Sequence, residues 1–301
     1  MVEVPELSTG RAQLSLTVLE CARNPTRALH LARFFGARDR GLQTFAQKGF
    51  TPVEGDVWAD SPEITFYCGA VNRRAIEPVL NEFREREGVQ INTVFNGCGI
   101  LTGQMKSILA DGDMPGFPDT YMACDVHYLN VVRELFQDDV NVSDTRLVIC
   151  VPRGNPKQIK SLDDLAQPGI SLALGQPDQC TIGVLTKNVL QQAGLYDKVL
   201  ANHPAEKPTS AMLVPAVTTG AVDATLAYAT DAKSSAGKLD IIPIELDTAR
   251  AIQPFSIARS SQHINLSRRL FEHLARSRHH FEAAGFHWRL DDDAAAPRDA
   301  E

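Results

Sequence analysis

Residues 94–105 read Val-Phe-Asn-Gly-Cys-Gly-Ile-Leu-Thr-Gly-Gln-Met, and this stretch decides how the sequence is interpreted. Strand-like residues lead into a turn at 97–99, and apolar residues then recur at helical spacing. Glycine lets the backbone turn tightly and lets a ligand approach the amide groups. The first amides of a helix have no partner within the helix, so a helix start reached through glycines can hold an anion. The stretch therefore predicts a strand, a turn and a helix start suited to anion binding.

The composition is that of a globular protein and argues against several functional classes. The chain has 301 residues, of which 44% are hydrophobic and 22% charged, with a net charge of −7. This length suffices for one large domain or two lobes. Nucleic-acid binding is not expected, because there is no basic stripe. No apolar run reaches membrane-spanning length. The six cysteines contain no CxxC pair and do not suggest a disulfide scaffold.

Two further turns share the design of the first. Residues 69–72 follow a predicted strand at 64–68, and residues 180–183 follow one at 170–174. Strands alternate with helices throughout this part of the chain, which predicts an α/β fold with mainly parallel sheets flanked by helices. Ligands bind at the carboxyl ends of such strands. The three turns are therefore predicted to face one another across a cleft and to hold an oxyanion with neutral donors.

The ends of the chain show a second pattern. A shift of 236 positions pairs Phe45 with Phe281 and Gly49-Phe50 with Gly285-Phe286. Residues 12–23 look like a strand, and a helix is predicted to follow them, as in the later copy. Chance similarity between amphipathic helices is the alternative explanation. We interpret residues 1–50 as the truncated C-terminal element of a preceding repeat module. Residues 51–63 are predicted to be a linker, and residues 291–301 a disordered acidic tail.

Two expectations concern the middle of the chain. A helix is predicted from about residue 127 to 136, with Asp125 capping its start. Cys21 and Cys150 lie in apolar stretches and are expected in the core.

Five motifs in order across residues 64–290 resemble the bacterial molybdate-binding protein family, solute-binding proteins of ABC transporters with the type II periplasmic-binding fold. The motifs are Ile64-Thr-Phe-Tyr, Phe95-Asn-Gly-Cys-Gly-Ile-Leu, Pro118-Asp-Thr-Tyr-Met-Ala-Cys-Asp, Arg146-Leu-Val-Ile-Cys-Val-Pro-Arg-Gly-Asn-Pro and Thr219-Gly-Ala-Val-Asp-Ala-Thr-Leu-Ala-Tyr-Ala-Thr-Asp. The resemblance implies two lobes, joined by two crossing strands, that close on a ligand by hinge motion. The first lobe would comprise about 64–147 and 242–290, and the second about 148–241.

The resemblance also implies a function. Such a protein is non-catalytic, has no cofactor, captures molybdate or tungstate, and passes the anion to a membrane permease. Its location would be periplasmic or otherwise extracytoplasmic. The first residues lack a signal-peptide pattern, so a cytoplasmic location stays open. An export signal encoded upstream with the rest of a first module would reconcile the two. Oligomeric state is not indicated.

The resemblance maps family ligand positions onto Val71, Cys98, Ile182, Ser210 and Tyr228, and their neighbours in the three turns complete the expected site. The expected ligand-binding residues are Gly69, Ala70, Val71, Asn72, Gly97, Cys98, Gly99, Thr181, Ile182, Ser210 and Tyr228. At Val71 and Cys98 the family usually has serines whose hydroxyls donate to the anion. Backbone amides remain available there, Asn72 and Thr181 could supply replacement donors, and Tyr228 keeps its phenol.

The cysteines leave an alternative open. Cys68, Cys98, Cys124 and Cys180 all come near strand ends that would face the cleft. They can be small buried residues that fill space, or the ligands of a protein that binds or senses a soft metal. An enzyme with a Cys98 nucleophile is a third interpretation, but no histidine lies in a matching turn.

Overall fold

The structure is a computed structural model that describes residues 13–19, 21–110, 112 and 116–293. The first twelve residues of the predicted repeat element and the predicted acidic tail beyond residue 293 lie outside this part. Residues 290–293, where that tail was predicted to begin, form a helical turn. Within the described ranges, no helix combines the length and apolar character needed to cross a bilayer.

Strands and helices alternate from residue 63 onward. The strands are β1 (Glu63–Gly69), β2 (Gln90–Asn96), β3 (Thr120–Met122), β4 (Phe136–Pro152), β5 (Leu172–Gly175), β6 (Ala205–Lys207), β7 (Ala224–Tyr228), β8 (Leu239–Pro243), β9 (Arg250–Ala258) and β10 (His287–Trp288). The helices are α1 (Pro25–Gly36), α2 (Gly41–Gln47), α3 (Arg73–Glu87), α4 (Cys98–Ala110), α5 (Val126–Asn130), α6 (Leu162–Leu165), α7 (Thr181–Gln192), α8 (Tyr196–Leu200), α9 (Leu213–Thr218), α10 (Ala229–Lys233), α11 (Ile264–Ala275), α12 (Arg278–Ala284) and α13 (Leu290–Asp293).

The strands form two groups that share β4. In the first group the order is β2-β1-β3-β9-β4, and β10 also pairs with β4. In the second, β4 pairs with β7 and β8, and β5 lies between β7 and β6. Residues 136–146 of β4 pair with β9, whereas residues 147–152 pair with β7 and β8. The chain thus passes from one lobe to the other inside a single strand and returns between β8 and β9.

Parallel pairing is confined to the strands away from this crossing. β1 is parallel to β2 and β3, and β5 is parallel to β6 and β7. The pairings of β4 with β7, β8, β9 and β10, and of β3 with β9, are antiparallel. A strand that leaves one sheet and a strand that returns to it run in opposite directions, which explains the mixture.

Helix α3 shows how the core of the first lobe is built. Ile76, Val79, Leu80 and Phe83 face inward as predicted and are at most 3% exposed. Burial of each such side chain stabilises the fold by about 1.5–3 kcal/mol. The helix ends at Gly88, whose φ of 66° places it in the left-handed region that favours glycine. Helices α11 and α12 pack against the same helix.

The N-terminal segment differs from its prediction. The described residues 13–19 have no regular structure and are mostly exposed, so the predicted strand over 12–23 is wrong in that part. Leu14 and Leu16 have no strand partner, and Cys21, expected in the core, is exposed. Helix α1 then begins after Asn24, whose side chain accepts a hydrogen bond from the Arg27 amide at 3.0 Å.

A buried carboxylate fixes α1 to the first lobe. Glu87 at the end of α3 is 1% exposed and pairs with Arg33 of α1 and with Arg269 of α11. Residues 51–63 run along the same surface, where the Asp56 carboxylate accepts hydrogen bonds from the first amides of α11. The interpretation of residues 1–50 as part of a preceding module, with 51–63 as its linker, remains a prediction.

The predicted helix over 127–136 is wrong beyond residue 130. Asp125 caps α5 as expected, since one carboxylate oxygen accepts from the His127 amide at 2.9 Å and the other from the Ile252 amide at 2.9 Å. A 3₁₀ turn follows at Arg133–Leu135, and Phe136 already pairs with Ala258 of β9. The sheet partner therefore overrides a local helical pattern.

Candidate functional site

The three predicted turns all lie at the carboxyl ends of strands. Gly69 ends β1 and leads through the 3₁₀ turn Ala70–Asn72 into α3. Gly97 joins β2 directly to α4, and Cys180 is the residue before α7. Each turn therefore presents the first amides of a helix at one edge of a sheet, in the place where ligands bind in α/β folds.

The two lobes meet at these turns. The Gly99 amide of the first lobe donates a hydrogen bond to the Gln179 carbonyl of the second at 3.1 Å. The Tyr128 hydroxyl donates to the Pro177 carbonyl at 2.8 Å. A Cβ atom at Gly97 would lie 2.4 Å from the Gln179 carbonyl oxygen, so only glycine permits this approach. The cleft is closed in this structure.

The structure brings the predicted ligand-binding residues together around this contact. Nine of the eleven are buried, and Ala70 and Gly99 are partly exposed. The 3₁₀ turn that begins at Ser210 packs on the turn at 70–72. Ile182 packs against Gly175 at the end of β5.

Asn72 is placed differently from its predicted role as a donor to the ligand. Its side-chain NH₂ group donates to the carbonyls of Ala123 at 3.1 Å and Met122 at 3.4 Å. These bonds tie the first turn to the end of β3. The Asn72 donors are therefore engaged within the protein.

The first-lobe side of the cleft is rich in sulfur. Cys98 Sγ lies 3.1 Å from Cys124 Sγ and accepts a hydrogen bond from the Cys124 amide at 3.1 Å. Burial opposes ionisation of Cys98, but the Cys124 thiol and amide and the nearby Thr181 and Tyr121 hydroxyls outweigh it and lower the pKa of Cys98 below its ordinary value. The hydrogen bond with Cys98, together with burial, raises the pKa of Cys124 well above its ordinary value.

The two remaining cleft cysteines behave as buried neutral thiols. Burial raises the pKa of Cys68 well above its ordinary value and that of Cys180 to about 11. Within the described part of the chain, no group of three or more His, Cys, Asp or Glu side chains is arranged to hold a metal ion. The four cysteines thus share the cleft without forming a metal site of the usual three or four ligands.

Three hydroxyl groups lie in the closed cleft. Those of Tyr121, Thr181 and Tyr228 are buried and have no hydrogen-bond partner among the described residues. Thr181 and Tyr121 are nevertheless close enough to the Cys98 sulfur to favour its thiolate. Burial raises the pKa of both tyrosines well above the ordinary value, so each remains a neutral donor.

A buried carboxyl group, that of Asp231, lies next to the second-lobe side of the cleft. Asp231 lies next to Ser210, and burial raises its pKa to about 6 although the Ser210 hydroxyl and the Arg74 charge oppose the shift. One of its oxygens is buried and unpaired among the described residues.

Tyr121, Tyr128 and Asp231 were not predicted as site residues. Tyr121 and Asp231 lie within motifs quoted above, Tyr128 follows one of them by three residues, and Tyr121 lies on the third strand that ends at the cleft. Asking which polar side chains accompany every strand end would have identified Tyr121. The contact of Tyr128 with the other lobe has no signal in the sequence.

Comparison with known proteins gives a consistent result. The sequence model of the family described as bacterial extracellular solute-binding protein matches residues 64–287. The molybdate-binding protein ModA of Mycobacterium tuberculosis is 27% identical over 206 residues, which cover 66% of this chain and 74% of that protein. ModA of Escherichia coli is 22% identical over 230 residues, covering 73% and 85%.

Solved structures show the same fold. The periplasmic molybdate-binding protein of Azotobacter vinelandii superposes with a TM-score of 0.62 at 14% identity, covering 74% of this chain and 98% of that one. The sulfate-binding protein SubI of Mycobacterium tuberculosis superposes with a TM-score of 0.63 at 18% identity, covering 78% and 89%. At such identities the likeness shows the fold alone, and the two proteins are named for different anions.

Proposed function

The chain belongs to the family of bacterial extracellular solute-binding proteins, and we propose that it is a non-catalytic protein that captures a small oxyanion between its lobes for an ABC-type importer. One observation carries the proposal: three helix starts from both lobes converge on a closed, buried cleft. Closure around a solute by hinge motion is the general behaviour of such two-lobed folds. A membrane permease is the partner, and the place of action is outside the cytoplasmic membrane.

Molybdate is the first ligand that we propose, and tungstate the second. The relatives that align over most of the domain carry molybdate-binding names. None of the eleven predicted ligand-binding residues is Lys or Arg. Helix-start amides and hydroxyls can bind an anion without a basic side chain. Tyr228 and Thr181 supply buried hydroxyls on the second-lobe side.

Titration calorimetry with molybdate, tungstate, sulfate and phosphate tests the proposal. We expect molybdate or tungstate to bind most tightly. Because the Tyr228 hydroxyl would donate to a charged ligand, Tyr228→Phe should remove about 1.5–3 kcal/mol, or roughly 10- to 100-fold in affinity.

The matched control is Tyr196→Phe, which removes a phenol on α8, outside the three turns. It should leave the affinity unchanged. Absence of binding by all four anions, or equal affinity in Tyr228→Phe and the wild type, would contradict the proposed site.

A further inference from the structure

Two sulfur atoms lie in contact on the first-lobe side of the cleft. Cys98 Sγ and Cys124 Sγ are 3.1 Å apart, and their residues are 0% and 4% exposed. A Cβ atom at Gly69 would lie 2.2 Å from the Cys124 sulfur and 2.8 Å from the Cys98 sulfur. Glycine at this position therefore lets the backbone pack directly against both thiols. The Cys124 amide donates a hydrogen bond to the Cys98 sulfur at 3.1 Å.

Oxygen-bearing groups surround the sulfur pair. The Tyr121, Thr181 and Tyr228 hydroxyls are at most 1% exposed. Those of Tyr121 and Thr181 favour the Cys98 thiolate by hydrogen bonding and find no other partner among the described residues, and that of Tyr228 finds none at all. Unpaired buried hydroxyls are unfavourable, so their presence calls for an explanation. A ligand with oxygen atoms would satisfy them. The two sulfurs and the three hydroxyls together fit a ligand that carries oxygen atoms and forms bonds to thiols.

Neither a metal ion nor a disulfide accounts for both the sulfur pair and the three hydroxyls. A structural metal ion takes three or four protein ligands, and the described residues hold no such group. A disulfide between Cys98 and Cys124 would use the sulfurs but leave the three hydroxyls unpaired. A small oxo acid whose central atom bonds to both sulfurs and keeps one oxygen would use all five groups.

We propose that Cys98 and Cys124 form a dithiol that captures the trivalent oxo acid of a thiophilic element, of which arsenous acid is the representative, in the cleft. This step deepens and rests on the proposed capture of a small oxo species between the lobes. Each thiol gives its proton to one hydroxyl of the acid, and that hydroxyl leaves as water. Two element–oxygen bonds are replaced by two element–sulfur bonds, the third hydroxyl stays on the central atom, and no electron is transferred.

The charge of the cleft favours this ligand class. Arsenous acid is neutral at neutral pH, whereas a thiolate in the cleft would repel a dianion. Because its pKa is lowered, the Cys98 sulfur is the nucleophile that forms the first bond to the central atom. Because the pKa of Cys124 is raised, that thiol stays protonated until the second bond forms. The remaining hydroxyl on the central atom would then hydrogen-bond to the tyrosine and threonine hydroxyls.

Native mass spectrometry of the full chain with sodium arsenite tests the proposal, in the presence of a phosphine reductant so that no added thiol competes. The wild type should gain the mass of the acid less two waters. The adduct should protect two cysteines from alkylation after denaturation, and peptide mapping should identify them as Cys98 and Cys124. Sodium arsenate, which has the same element in pentavalent form, should give no such adduct.

Single substitutions provide the second measurement. Cys98→Ser and Cys124→Ser leave one thiol each, so the apparent arsenite affinity should fall by about 100-fold or more because the second bond is lost. Cys150→Ser is the control, since Cys150 is equally buried but lies on β4 among residues that pair with β7 and β8. It should keep the adduct.

The outcomes separate this inference from the proposed function. Binding of molybdate without an arsenite adduct would overturn the inference and leave the proposed function intact. An adduct that persists in either single variant, or that protects other cysteines, would also overturn it. An adduct on Cys98 and Cys124 without binding of molybdate or tungstate would support the inference and remove those two anions from the proposed function.

Discussion

The two faces of the cleft are built from the same kind of turn but carry different chemistry. On the first lobe, Cys98 and Cys124 place two sulfurs in contact, and Val71 offers no side-chain donor. On the second lobe, Thr181 and Tyr228 present hydroxyls. Both faces provide helix-start amides. The comparison teaches that the two faces share their backbone geometry and differ in their side chains. In the proposed function the helix-start amides of both faces bind the oxo species, and the side chains of one face set which species is preferred.

The largest effect is expected from a change that keeps the faces apart. In Gly97→Ala the new methyl group would lie 2.4 Å from the Gln179 carbonyl and 2.8 Å from the Pro208 carbonyl, so the lobes could not close. Loss of all second-lobe contacts should reduce molybdate affinity by about 1,000-fold, or roughly 4 kcal/mol. Titration calorimetry measures the change, and small-angle scattering with ligand should report an open molecule.

Gly103→Ala is the matched control for that experiment. Gly103 lies in the same helix α4, and a Cβ atom there would meet nothing within 4 Å. Its affinity should equal that of the wild type. Tight binding by Gly97→Ala would show that the two faces need not meet.

A smaller effect concerns the carboxyl behind the hydroxyl face. Because its folded pKa is raised from 3.8 to about 6, Asp231 contributes stability that is complete below about pH 4 and is lost as pH rises through about 6. Asp231→Asn removes this dependence. Above about pH 6 the variant should gain up to about 3 kcal/mol relative to its difference from the wild type at pH 4.

Urea unfolding of wild type and variant at several pH values checks this sign. Asp247→Asn, which removes a carboxyl group at an exposed position, is the matched control. A variant that loses stability relative to the wild type as pH rises would show that Asp231 is ionised favourably in the fold.

The smallest effect should come from making the faces alike. Cys98→Ser replaces a weak donor that can ionise with a hydroxyl, so molybdate affinity should rise by about tenfold, or roughly 1.4 kcal/mol. The gain should grow as pH rises from neutrality toward the ordinary thiol pKa of about 8.5, because the pKa of Cys98 is lowered and only the wild type develops a thiolate beside the anion. Calorimetry across this range measures it, with Cys150→Ser as the control. Equal pH profiles would indicate that the Cys98 thiol stays neutral beside the ligand.

Much of the fold could be predicted from the sequence because neighbouring sequence patterns indicated the same elements. The apolar spacing of α3 and its Gly88 end were visible in the sequence, and so were the glycines that precede α4. Such patterns depend on residues close together in the chain. The errors arose where partners far apart in sequence determine the structure. Residue 136 pairs with β9 instead of continuing a predicted helix, and residues 13–19 pair with no strand among the described residues.

For the site, the sequence predicted the turns but not the contacts that these turns make. Gly97 and Gly99 were identified as positions of close approach, yet all but one of the atoms that approach them most closely belong to residues 178–180 and 208 of the other lobe. Cys98 and Cys124 are 26 residues apart, and only the pairing of β1 with β2 and β3 brings their strand ends together. Asn72 was assigned to the ligand because nothing local shows that Ala123 takes its donors.

The clamp of Arg33 and Arg269 on Glu87 has a practical consequence for watching the molecule move. It ties α1 to the first lobe, and Cys21, just ahead of that helix, is exposed whereas the other five cysteines are buried. A maleimide fluorophore should therefore attach to the native chain at one place and travel with the first lobe. Paired with an acceptor dye on the second lobe, it would turn each opening and closing into a change in energy transfer.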